Sequence, residues 1–109
     1  MSISVKIDNG IETIQLALEI DLDTSGSILE QIKKSLNNSK IVHIDLEKVS
    51  YIDSSGIASL IEGMQIAKKS GKEFGLVKVS NEVMKVIKLA HLDKIFKIIS
   101  QSNQSALAT

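Results

Sequence analysis

Four consecutive residues, Asp53-Ser54-Ser55-Gly56, set a carboxylate beside two hydroxyls and a residue with no side chain. A hydroxyl in that company serves chemistry as a nucleophile, as a ligand to metal or phosphate, or as the acceptor of a phosphoryl group. The same residues also make an ordinary helix start. An Asp or Ser oxygen there accepts hydrogen bonds from the first free amides, a contribution of about 1 kcal/mol. A second polar stretch, Asp21-Leu22-Asp23-Thr24, carries two more carboxylates and a hydroxyl.

Several of these chemistries lack their other parts. A serine nucleophile needs a base, yet the two histidines, His43 and His91, lie outside both stretches. No Gly-x-Ser-x-Gly elbow is present. Gly56 and Gly63 do not frame the Gly-Lys-Ser/Thr ending of a phosphate-binding loop. Asp21, Asp23 and Asp53 have the oxygen donors for Mg²⁺, as in a phospho-accepting receiver domain. Such a domain opens with a βα unit, however, and this chain does not. A phosphoryl group on one of the two serines would face the positive end of a helix begun at Asp53. Capping and phosphate acceptance therefore use the same geometry.

The elements that must position these residues are legible in the periodicity. Residues 2–8 (SISVKID) and 12–20 (ETIQLALEI) alternate apolar and polar side chains, and Asp8-Asn9-Gly10 between them suits a tight hairpin. From Thr24 to Asn38 the period becomes helical, with Ile28, Leu29, Ile32 and Leu36 as the apolar stripe. Thr24 or Ser25 is the expected cap, with Ser27 and Glu30 as a capping box. Residues 41–46 (IVHIDL) read as a buried strand in which His43 fills core space. Glu47 to Ser54 reads as the loop that follows it.

Ser55 to Ser70 reads as a helix facing inward with Ile57, Leu60, Ile61, Met64 and Ala67, and ended by Gly71. A strand over 74–79, a helix over 82–92 with Val83, Val86, Ile87 and Ala90 inward, and a strand over 95–99 follow. A short helix is expected beyond residue 100. Repeated βα units imply right-handed crossovers and an α/β fold. If the second and third strands are neighbours, the loops after them emerge on one edge. Asp21, Asp23, Asp53 and Ser54 would then share an acidic rim.

Composition narrows the function further. The chain has 109 residues, 43% apolar but 3% aromatic, so an aliphatic core is expected in one domain. Formal charge is zero, and all 13 cations are lysines. Without arginine, a basic block or stacking aromatics, nucleic acid is not an expected partner. The absence of cysteine removes disulfides and thiolate metal sites, and the histidines have no ligand spacing, so neither metal nor cofactor is expected. With no secretory signal and no apolar run near ~20 residues, a cytoplasmic protein without membrane attachment is the expectation.

The order and spacing of three segments resemble the STAS domain, and within it the small bacterial anti-sigma factor antagonists of partner-switching systems. They are Glu19-Ile20-Asp21 with Thr24, the run from Ile44-Asp45-Leu46 through Val49 to Ile57, and Ala90 to Phe96. The resemblance spans about Ile3 to Ile99 and implies one STAS domain over 1–109. The implied fold is a βα superhelix, with an N-terminal β-hairpin followed by alternating helices and strands in a mixed sheet.

It further implies that Ser54 is phosphorylated by a partner that is both serine kinase and anti-sigma factor. A phosphatase would restore the hydroxyl. Asp21 matches an aspartate that supports kinase recognition, and Asp23, Thr24, Asp53, Ser55, Gly56 and Ile57 fall in the implied partner-binding region. The chain is expected to be the substrate of the kinase and not itself an enzyme. The implied output is a sigma factor, the alternative being another process such as biofilm formation, secretion or a cyclase. Leu18 stands where a small residue is usual, and His43 where an aliphatic one is usual.

Overall fold

A computed structural model describes residues 2–99, apart from the side chain of Leu18. The helix expected beyond residue 100 lies outside the described residues. The chain begins with the antiparallel pair β1 (Ser2–Asp8) and β2 (Ile11–Ile20). Asn9 (φ 52°) and Gly10 (φ 80°) are both left-handed, as a two-residue turn matching the twist of its strands requires. Then follow α1 (Leu22–Asn38), β3 (Ile41–Ile52), α2 (Ser54–Lys69), β4 (Glu73–Val77), α3 (Asn81–Leu89) and β5 (Ile98–Ile99).

The five strands form one mixed sheet in the order β1-β2-β3-β4-β5. Only β1 runs antiparallel to its neighbour. Each parallel crossover steps to the next strand in the same direction, so right-handed connections put all three helices over one face. Ile14, Leu16, Val42, Ile44, Phe74 and Leu76 line that face and pack with Ile28, Ile32, Leu60, Val83 and Ile87 as a single core. The buried Glu12 carboxylate on this face accepts a hydrogen bond from Ser39 Oγ at 2.7 Å, tying β2 to the end of α1.

Strand β3 is twice as long as expected, because it absorbs two irregularities. Its register against β2 slips by one residue between Gln15 and Ala17 and again between Leu18 and Glu19. Across these bulges the buried residues are Leu46, Val49 and Ile52, and a period-two pattern cannot detect such a strand. The segment read as the loop 47–54 is therefore strand up to Ile52.

Helix α2 ends in a Schellman motif. Lys72 N–H bonds Ala67 C=O at 2.8 Å, Gly71 N–H bonds Lys68 C=O at 3.3 Å, and Gly71 sits at φ +71°. Helix α3 ends the same way, through Leu92 to Ile87 at 2.9 Å and His91 to Lys88 at 3.0 Å. Here His91 takes the left-handed position (φ 59°) where glycine is usual, so α3 stops three residues before the expected Leu92 and leaves Ala90 exposed. Residues 92–96 form turns, which shortens the expected last strand to Ile98–Ile99.

Candidate functional site

The ends of β2 and β3 are held side by side. Ile20 is in register with Ile52, and Asp53 N–H donates to Ile20 C=O at 3.1 Å. Each strand is followed at once by an aspartate that caps a helix, Asp21 for α1 and Asp53 for α2. The expected rim is thus assembled by parallel pairing, with both helix N-termini on the same edge.

Asp21 starts α1 with a reciprocal capping box. Its Oδ1 accepts from Asp23 N–H at 3.0 Å, and its own N–H donates to Thr24 Oγ1 at 3.0 Å. The cap expected at Thr24 or Ser25, with the box of Ser27 and Glu30, is corrected: the helix begins two residues earlier. A short polar run with one capping residue after another leaves the start undetermined by sequence. Asp23 is exposed in the first turn.

At the second cap the two serines are not equivalent. Asp53 Oδ1 accepts from Ser55 Oγ at 2.6 Å, from Ser55 N–H at 2.9 Å and from Gly56 N–H at 3.1 Å. The Ser55 hydroxyl, half-buried, is committed to the cap. Ser54 is the first residue of α2, exposed, and contributes no hydrogen bond to the cap. The Ser55 hydroxyl, followed by the amides of Gly56 and Ser55, holds the Asp53 carboxyl below the usual carboxylate range. Asp53 is therefore ionised near neutral pH, with its Oδ1 taken up by the cap.

Gly56 is required by space. A Cβ there would lie 2.6 Å from Ile20 Cγ2, 2.7 Å from Ile52 Cγ1 and 3.1 Å from the Ile20 carbonyl oxygen. The missing side chain lets α2 begin directly against the paired strand ends. Ile57, expected in the partner-binding region, is only 8% exposed and belongs to the core, because the fourth residue of α2 already turns toward the sheet.

Sequence reasoning missed two apolar groups on this edge. Leu22 is 76% exposed at the first position of α1, and Tyr51 is 51% exposed next to the end of β3. The signal for Leu22 was its place between two aspartates, ahead of the inward stripe. For Tyr51 the bulged register hid it. Among the described residues, no group of three or more His, Asp or Glu is placed to hold a metal ion. His43 is half-buried on the helix-free face, flanked by Gly75, and burial, with Lys97 adding to it and Glu73 opposing, lowers its pKa below 6.5.

Residues 2–106 match the STAS domain family. The chain belongs to that family. It is 30% identical over 101 residues to the anti-sigma-F factor antagonist RsfB of Mycobacterium tuberculosis, covering 92% of this chain and 82% of that protein. It is 32% identical over 81 residues to MlaB of Escherichia coli, an intermembrane phospholipid transport system binding protein, covering 74% and 81% respectively. The crystal structure of an anti-sigma factor antagonist from Mycobacterium paratuberculosis superposes with a TM-score of 0.83 at 23% identity, over 98% of this chain and 92% of that one. The fold is the STAS fold, a mixed α/β sheet with three helices over the described residues. None of those helices is long and apolar enough to cross a membrane.

Proposed function

We propose that the chain, acting as a single STAS domain in the cytoplasm, is a phosphorylation-controlled partner-switching protein of the anti-sigma factor antagonist type. Unphosphorylated, it binds a serine kinase of the anti-sigma class through the rim of Asp21, Asp23, Thr24, Asp53 and Ser54, with Leu22 and Tyr51 as apolar contacts. The kinase transfers a phosphoryl group to Ser54, the complex dissociates, and a phosphatase resets it. The chain itself catalyses nothing in this cycle.

The observation that carries this reading is the inequality of the two serines: Ser55 is bonded to Asp53 at 2.6 Å, while Ser54 is exposed and outside the cap. Phosphorylation adds roughly −1.5 to −2 charges. On Ser54 it would stand among Asp21, Asp23 and Asp53, where it repels an acidic neighbourhood and burdens a dry interface with desolvation. The amides at the start of α2 offset part of that repulsion inside the domain, so the fold survives while the interface fails.

The test is incubation with anti-sigma-type serine kinases and ATP, followed by site mapping. Phosphate is expected on Ser54. Ser54→Ala is expected to bind the kinase and resist phosphorylation, and Ser54→Asp to bind weakly. Phosphate on Ser55 with Ser54 unmodified would sink the assignment.

The relationship to MlaB favours a second output for the same device. There the rim would regulate a membrane transport assembly in place of a sigma factor. Pull-downs with Ser54→Ala separate the two: an anti-sigma kinase as the dominant capture supports the first reading, and a component of a phospholipid transport system supports the second.

A further inference from the structure

Strand β1 is the outer edge of the sheet, with β2 on one side and no strand on the other among the described residues. Its hairpin turn decides which backbone groups it has to spare. Asp8 and Ile11 flank the two-residue turn and form a hydrogen-bonded pair, and such pairs recur at every second residue of an antiparallel ladder. Lys6 with Thr13 and Ser4 with Gln15 are therefore bonded pairs too. The N–H and C=O groups of Ile3, Val5 and Ile7 point away from the sheet.

The same three residues carry the apolar side chains of the strand. Val5 is 43% and Ile7 62% exposed, and Ile3 is half-buried. They stand opposite Leu16, Ile14 and Glu12, so they extend the helix-covered face of the sheet beyond its edge. Among the described residues no proline, bulge or covering element protects this seven-residue edge, and open edges of this kind are templates for further pairing.

We propose that β1 is a self-association surface, on which a second copy of the chain pairs antiparallel with Val5 opposite Val5 on a two-fold axis. Within Ser2–Asp8, this register matches all three outward-facing residues at once. Ile3 stands opposite Ile7 of the second copy, Val5 opposite Val5, and Ile7 opposite Ile3. Six apolar side chains then share one stripe. On the other face Ser4 stands opposite Lys6 and Ser2 opposite Asp8, so no like charges meet directly. The two Lys6 groups lie on a diagonal, on exposed stems where salt screens their repulsion. The interface is isologous and closes as a dimer with a continuous sheet of ten strands, twice the five in each copy.

Sedimentation of the full chain over a range of concentrations tests the proposal. The mass is expected to rise from one chain toward two and no further. Val5→Lys is expected to abolish the dimer. Val5→Pro is expected to do so as well, because it removes an N–H that points away from β2, a change that edge strands tolerate. Circular dichroism of both variants shows whether the fold is retained.

The register has its own test, since the chain has no cysteine. Two Cys at position 5 would have Cα atoms ~5.5 Å apart, inside the disulfide range of about 4.4–6.8 Å. Val5→Cys is expected to oxidise to a covalent dimer. Ile7→Cys alone would place its two thiols ~13 Å apart along the strand and stay reduced. Mixed with Ile3→Cys, it is expected to cross-link. A monomer at every concentration, with Lys6 then acting as the guard of the edge, overturns the proposal. Equal cross-linking of Val5→Cys and Ile7→Cys, or a dimer that survives Val5→Lys, does so too.

Discussion

Two aspartates at the strand ends have double duties, and substitution separates them. Asp21 caps α1 and stands on the proposed kinase-binding rim. Asn caps a helix about as well as Asp, whereas Ala does not, at a cost of about 1 kcal/mol. Asp21→Ala is expected to lower the melting temperature by about 4–8 °C, while Asp21→Asn melts close to the parent protein. If the charge supports recognition, both variants lose phosphorylation rate. If only the cap matters, Asn restores it.

Titration offers a second handle at this scale. His43 has a folded pKa depressed below 6.5, chiefly by burial, so the unfolded chain takes up its proton more readily. Its contribution is complete above pH 6.5 and is lost as pH falls through the folded value. Asp53, also depressed, contributes above its ordinary value of 3.8 and is lost below it. Thermal unfolding across pH is expected to show the first decline just below pH 6.5. His43→Leu removes that decline and leaves the lower one. An unchanged profile would show that His43 is solvated as in the unfolded chain.

At the scale of elements, the glycines divide by what surrounds them. Gly56 faces Ile20 and Ile52, including the immovable Ile20 carbonyl, whereas Gly63 faces the side chains of Ile32 and Phe74, which can shift. Gly26, inside α1, has nothing within 4 Å. Gly56→Ala is therefore expected to destabilise by about 1–3 kcal/mol and Gly63→Ala by less. Gly26→Ala is expected to stabilise by about 0.5–1 kcal/mol. Denaturant unfolding that fails to rank them in this order would refute the close approach of α2 to the strand ends. The hairpin and the inward stripe of α1 were legible in sequence because local periodicity and turn chemistry decide them. The second half of β3 was not, because bulges break the alternation. The end of α3 was not, because His91 does the work usually left to glycine.

For the whole molecule, the decisive fact is the strand order. A sheet that always steps the same way carries its helices on one face and sets the ends of β2 and β3 against each other. Two polar stretches thereby become one rim, and β1, with a single neighbour among the described residues, becomes an open edge. The sequence by itself determined the α/β class, the aliphatic core and the pair of serines behind an aspartate, because composition, period and capping chemistry are local. Only the tertiary structure decided that Ser55 is held by Asp53 while Ser54 stands free of the cap, and that Leu22 and Tyr51 face solvent. Those outcomes depend on strand register and on the fit of Gly56 between Ile20 and Ile52, which no run of neighbouring residues encodes.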